Sequence, residues 1–153
     1  MSNKFRYLRG DTLGIKLPKY ADDAIEIGDL LFWDATNNAV RPASEISGED
    51  YATQKTNLAT AFVGVAAEAK AAGTSGNLTV WTAGDYLFTA PSGQGTDYDV
   101  TAMLAGGDGS EMLDQTLVKT TSQADAIARV LALKTTSQTY VTARLLSRTS
   151  ILY

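Results

Sequence analysis

The chain contains no cysteine and no histidine. Without cysteine there are no disulfides and no thiolate chemistry. Without histidine the commonest general base and the commonest zinc ligand are both missing. A Ser-His-Asp or Cys-His triad is therefore excluded within the chain. Long apolar runs are also lacking: the longest extend over only a few residues, such as 61–67, and none is long enough to cross a bilayer as a helix. The opening MSNKFRYLRGD carries early charges with no apolar stretch behind them, unlike a secretory signal.

What is present is ordinary for a folded protein. Hydrophobic residues make up 44% and charged residues 20% of 153 residues, enough for one domain with a real core. The net charge of −4 conceals an asymmetry. Lys4, Arg6, Arg9, Lys16 and Lys19 stand against Asp11 alone in the first 20 residues, whereas the remainder holds eight basic and sixteen acidic residues. We read a basic N-terminal arm over 1–23 and an acidic β domain over 24–153. An acidic body repels a phosphate backbone, so no nucleic-acid partner is expected, and no membrane partner either.

The local patterns are mostly those of strands. Residues 25–33 (IEIGDLLFW) are apolar and β-favouring, 34–38 read as a turn, and 39–42 leave it, with Pro42 ending a strand or lying at a sheet edge. Ser47 and Asp50 mark a helix start, with a short helix over 49–58. Residues 61–66 (AFVGVA) form a buried-type strand. Residues 77–82 alternate, with Leu78, Val80 and Thr82 on one face and Trp81 on the other. Further strands are read at 84–90, 98–104 and 116–120, with loops at 67–76, 91–96 and 105–110. Periodicity alone leaves 126–133 as helix or strand, but the turn-like 134–138 and the alternating 139–146 favour a hairpin of the two. Gly28-Asp29-Leu30-Leu31-Phe32 recurs as Gly84-Asp85-Tyr86-Leu87-Phe88, suggestive of two similar β units. The fold class expected is mainly all-β: a small antiparallel β-barrel or sandwich with one short helix and an extended N-terminal arm.

Candidate chemistry is sparse. The acids Asp22, Asp23, Glu49, Asp50, Asp97, Asp99, Asp108 and Glu111 fall in predicted loops, where solvated carboxylates are the default. Asp97-x-Asp99 and the stretch from Gly106 to Glu111 invite a calcium reading, but neither has the spacing of an EF-hand loop. The segment 92–95 lacks the phosphate-binding glycine patterns. Trp33 and Trp81 invite a stacking platform for sugar or base, set against a place at a core or subunit boundary. No catalytic residue, cofactor or metal is expected, and the chain is read as a non-enzyme.

The Gly28-Asp29-Leu30-Leu31 strand entry, Phe62-Val63-Gly64-Val65-Ala66, Ala126-Ile127-Ala128-Arg129-Val130 and Val141-Thr142-Ala143-Arg144-Leu145-Leu146 together resemble the capsid decoration, or head cement, proteins of tailed bacteriophages. The likeness runs over roughly 24–147. It implies a structural protein on the exterior of the virion head, made in the host cytoplasm. Such a protein binds the outer surface of the shell and stabilises contacts between major capsid subunits. It implies the major capsid protein as partner, and self-association as monomer, dimer or homotrimer. A closed trimer would bury edge strands and the apolar terminus. The expected capsid contacts are Phe5, Tyr7 and Leu8 as apolar anchors, Arg6, Arg9 and Lys16 as charged ones, and the tail Ile151, Leu152 and Tyr153. The rival readings are a tail or spike-base component and a carbohydrate-binding β module using Trp81.

Overall fold

The computed structural model describes residues 5–9 and 14–146. Among these, eleven strands form two antiparallel sheets that face each other as a sandwich. The strands are β1 (Arg6–Arg9), β2 (Gly14–Pro18), β3 (Leu30–Asp34), β4 (Ala39–Pro42), β5 (Phe62–Ala66), β6 (Asn77–Trp81), β7 (Asp85–Thr89), β8 (Met103–Gly106), β9 (Leu117–Thr120), β10 (Ala128–Val130) and β11 (Tyr140–Leu145). The six-stranded sheet runs β1-β7-β11-β10-β8-β9 and the five-stranded sheet β2-β6-β5-β3-β4. Among the described residues there is no closed barrel, so the sandwich alternative describes the fold.

The inner faces supply the main core. Leu30, Phe32 and Val65 from one sheet meet Tyr86, Phe88, Val141 and Ala143 from the other. Strands β3 and β5 are also apolar on their far face, where Leu31, Val63 and Ala66 join Ile25, Val40, Leu78 and Val80 in a second cluster. This explains the unbroken run FVGVA: every residue of β5 is buried, because both faces of that central strand are covered. Strands with one covered face alternate instead. Val141, Ala143 and Leu145 are buried on β11, while Tyr140 and Arg144 are exposed.

The single α-helix among the described residues, α1 (Tyr51–Ala61), starts where Asp50 caps it: the carboxylate accepts from the Thr53 amide at 2.8 Å. Leu58 reaches the main core, and the Tyr51 hydroxyl donates to the Gly106 carbonyl at 2.7 Å, fastening the helix to β8. The expected hairpin is present, with Ala128 opposite Leu145 and Val130 opposite Ala143. Pro42 ends β4, an outermost strand of its sheet.

Three local expectations need correction. The strand expected over 98–104 begins only at Met103. Tyr98 makes an isolated bridge to Lys134, and Thr101 takes φ +73, which breaks the alternation and leaves Val100 52% exposed. Ala105 and Gly106, read as loop, complete β8, and the turn follows them. The strand expected over 25–33 starts at Leu30, because the Asp29 carboxylate accepts from the Glu26 amide at 2.8 Å and closes a turn first.

Two described stretches of the basic N-terminal segment are edge strands. β1 pairs with β7, placing Arg6 opposite Leu87 and Tyr7 opposite Tyr86. β2 pairs with β6, placing Lys16 opposite Thr79. Consecutive pieces of one segment thus edge both sheets.

Candidate functional site

The carboxylates are engaged one at a time in holding loops and strands. Asp23 accepts from Arg41 Nε at 2.7 Å. Asp34 closes the β3–β4 turn through Thr36 and Asn37, and the Asn37 side-chain hydrogen bond holds its carboxyl below the usual range. Asp108 accepts from the Ser110 and Glu111 amides at 2.8 and 3.0 Å, so the Gly-rich stretch around it is a side-chain-closed turn. Asp114 accepts from the Ser44 amide and hydroxyl. Asp125 accepts from Thr56 and pairs with Lys55. A cleft of about 260 Å³ opens beside the β3–β4 hairpin, and its guanidinium, Arg41, is already taken by Asp23 and Glu45.

The two Gly-Asp entries share a design and differ in partners. Each glycine has positive φ and each aspartate is buried at a strand entry. Asp85 receives a two-point pair from Arg144, Nε to Oδ1 at 2.7 Å and Nη2 to Oδ2 at 3.0 Å. Asp29 instead accepts from neutral donors, Gln115 Nε2 at 2.7 Å and the Glu26 amide, and burial pushes its carboxyl up to about 6.

The expected contact residues separate into distinct places. Phe5 is half-buried within the protein's own aromatic cluster, 5.2 Å from Tyr86 and 5.4 Å from Phe88 between centroids. Tyr7 lies 6.2 Å from Trp81 yet stays 46% exposed. Arg6 and Leu8 are exposed on β1, and Lys16 is exposed on β2. Arg9 is the last residue of β1 and stands opposite Asp85. Ile151, Leu152 and Tyr153 lie outside the described residues. Trp81 is half-buried and stacks with Tyr86 at 5.8 Å, which makes it part of the junction between the sheets. Trp33 packs against the second cluster.

Sequence reasoning missed a row of residues running straight across the six-stranded sheet. Arg9, Asp85, Arg144, Arg129 and Met103 are successive cross-strand neighbours on β1, β7, β11, β10 and β8. The outward alternation of Arg144 and the hairpin with β10 were visible, but the register that sets Arg129 opposite Arg144, and the strand order that adds Asp85 and Met103, were not.

Residues 8–81 match a family described as phage cement protein. The likeness to head cement proteins is thereby shown over that segment. None of the curated proteins compared matches the chain. Among solved structures, the chain is similar to the head fiber gp8.5 N base of bacteriophage phi29, with a TM-score of 0.51 and 14% identity over 88% of this chain and 95% of that one. At that identity the likeness is one of fold. The cement match covers β2 to β6, with the Gly-Asp entry at 28–29 and FVGVA inside it. These findings support a structural protein of the phage virion.

Proposed function

We propose that this protein is a head decoration protein that binds the outer surface of a phage shell and stabilises contacts between major capsid subunits. The observation that carries the reading is the cement-family match over 8–81, which falls on strands that build the sandwich core. The architecture suits the role. A rigid sandwich needs no moving part to hold neighbouring subunits, and its exposed side chains make many repeated contacts across a lattice. Arg6, Tyr7, Leu8 and Lys16 offer exposed contacts on the N-terminal edge strands, and Arg9 and the tail Ile151, Leu152 and Tyr153 extend the candidate set. Phe5 serves by fixing β1 to the body. Self-association as a homotrimer at three-fold positions of the shell would cover the sheet edges.

The fold shared with a head fiber base supports a second reading, a head-bound base that carries a longer appendage. Both readings place the protein on the head exterior and need no catalysis.

The test is co-sedimentation of the purified protein with matching expanded shells, with light scattering of the free protein for its oligomeric state. Saturable binding at a fixed ratio to the shell subunit, together with a higher melting temperature of the shell, is the expected result. Binding without any gain in shell stability would favour the base reading. No binding to mature, intact shells would overturn both.

A further inference from the structure

We infer that the outer face of the six-stranded sheet is the docking surface, and that its partner is a carboxylate-bearing protein surface of the shell; this rests on the decoration reading and names the surface that performs it. The two sheets treat their outer faces differently. That of the five-stranded sheet is sealed by the second apolar cluster, in which Ile25, bridged to Lys70, and Leu31, Leu78 and Val80 are all buried. The outer face of the six-stranded sheet has no such cover among the described residues. Arg6, Arg129 and Arg144 are exposed there, with Leu87, Thr142 and Met103 half-exposed between them.

The register places these residues together. Arg6, Leu87 and Thr142 form one cross-strand row on β1, β7 and β11. Asp85, Arg144, Arg129 and Met103 form the parallel row. Arg144 is occupied by Asp85, so the surplus positive charge resides on Arg6 and Arg129, neither of which has an ion-pair partner among the described residues. Arg129 sits directly opposite Arg144, and like charges in directly opposed positions destabilise a sheet. Folding gains nothing from this pair. A carboxylate placed over it from outside would offset the repulsion.

The chain as a whole carries −4, so a positive face on it is a local exception that orients the protein toward an acidic partner. Arginine set beside the half-exposed apolar side chains of Leu87 and Met103 is a composition that protein interfaces favour.

The experiment uses the full chain and matching shells, comparing wild type, Arg129→Glu, the double variant Arg6→Glu/Arg129→Glu, and Lys70→Glu as the same charge change on the side of the other sheet, where Lys70 is half-exposed beside Ile25. The double variant is expected to lose affinity by about tenfold or more, with Lys70→Glu much less affected and wild-type binding weakening as salt rises. Its thermal unfolding is expected to be unchanged or shifted upward, because the carboxylate introduced on β10 would face the Arg144 guanidinium in place of a like charge. Equal binding by wild type and double variant would overturn this inference and leave the decoration reading standing. So would an equal loss in Lys70→Glu, or a loss of binding that only follows a loss of folding. Wild-type binding to a single-stranded oligonucleotide that the double variant loses would assign the face to phosphate and overturn the carboxylate partner. Failure of the wild type to bind any shell would overturn the decoration reading, and the proposed partner with it.

Discussion

The ring of Phe5 lies nearly parallel to that of Tyr86, with centroids 5.2 Å apart and planes inclined by 21°. Trp81 stacks on the same Tyr86 from the other sheet, so Phe5 joins the aromatic seam between the two layers. Gly28 makes room for it: with φ +94, any Cβ there would run into the Phe5 ring. Phe5→Ala is expected to lower stability by about 2 kcal/mol, below the value for a fully enclosed ring because Phe5 is only half-buried. Gly28→Ala is expected to cost at least about 2 kcal/mol, from backbone conformation and the clash together. Combining them should cost clearly less than the sum, since removing the ring removes the clash. Urea unfolding of the three variants measures this, and strict additivity would contradict the contact.

Much of this architecture was readable in the chain, for reasons that differ by element. The alternation of 139–146 reported β11 and its buried face because that strand is covered on one side only. FVGVA reported a strand with two covered faces. The segment 98–104 misled because Tyr98 and Leu104 are both buried while the chain between them turns through Thr101. The two-fold spacing of apolar residues does not distinguish that path from a strand. The pairing of β10 with β11 was expected as a hairpin, but the Arg129–Arg144 neighbourhood within it was not read, since a hairpin expected over two eight-residue segments does not fix which residues stand opposite each other. Phe5 and Tyr7 read as surface anchors because an exposed basic segment and an edge strand share the same composition. Only the position of Tyr86 separates the two.

Asp29 carries a pH prediction. Burial raises its carboxyl to about 6 from an ordinary 3.8, with the nearby charges of Asp114 and Glu26 acting in the same direction. Because the folded-state value is the higher one, the stabilisation is complete below about pH 4 and is lost as pH rises through about 6. Asp29→Asn mimics the neutral acid. The melting temperature of the variant relative to wild type is therefore expected to rise between pH 4 and pH 7. Asp114, also raised by burial, leaves some dependence in the variant. A difference that stays constant across this range would show that Asp29 does not titrate there.

Lys134 is 1% exposed, and its ammonium donates to the Thr96 carbonyl at 2.6 Å and the Thr135 carbonyl at 3.2 Å while lying 4.8 Å from the Tyr98 ring centre. It thereby holds the 91–97 loop against the β10–β11 connection. Lys134→Met keeps the apolar stem and removes the donors. The expected loss is about 1–3 kcal/mol, the cost of leaving buried carbonyls unsatisfied. Amide exchange should accelerate selectively at Gly93 and Tyr98, whose amides donate to the Thr136 and Lys134 carbonyls. Unchanged exchange at those two amides would show that the ammonium does not hold the loop.

Gly64, in the middle of FVGVA, carries the sharpest sequence constraint. Its φ of +145 disfavours any other residue, and a Cβ there would be driven into the Trp81 carbonyl. That obstacle is backbone in the adjacent strand β6, so no side-chain rotation relieves it. Gly64→Ala must shift β5 away from β6, and Val65, which stands opposite Trp81, lies in the main core. A loss of about 3 kcal/mol or more is expected, enough to unfold a marginal domain. Gly14→Ala on edge strand β2 is the comparison: its nearest neighbour would be a Thr79 methyl at 3.7 Å, an ordinary contact, and its cost should stay within about 0.5 kcal/mol. Chemical denaturation of both variants, with soluble yield as the readout if Gly64→Ala does not fold, decides the matter. Equal stabilities would mean that β5 and β6 do not approach as closely as described, and the glycine would then need another explanation.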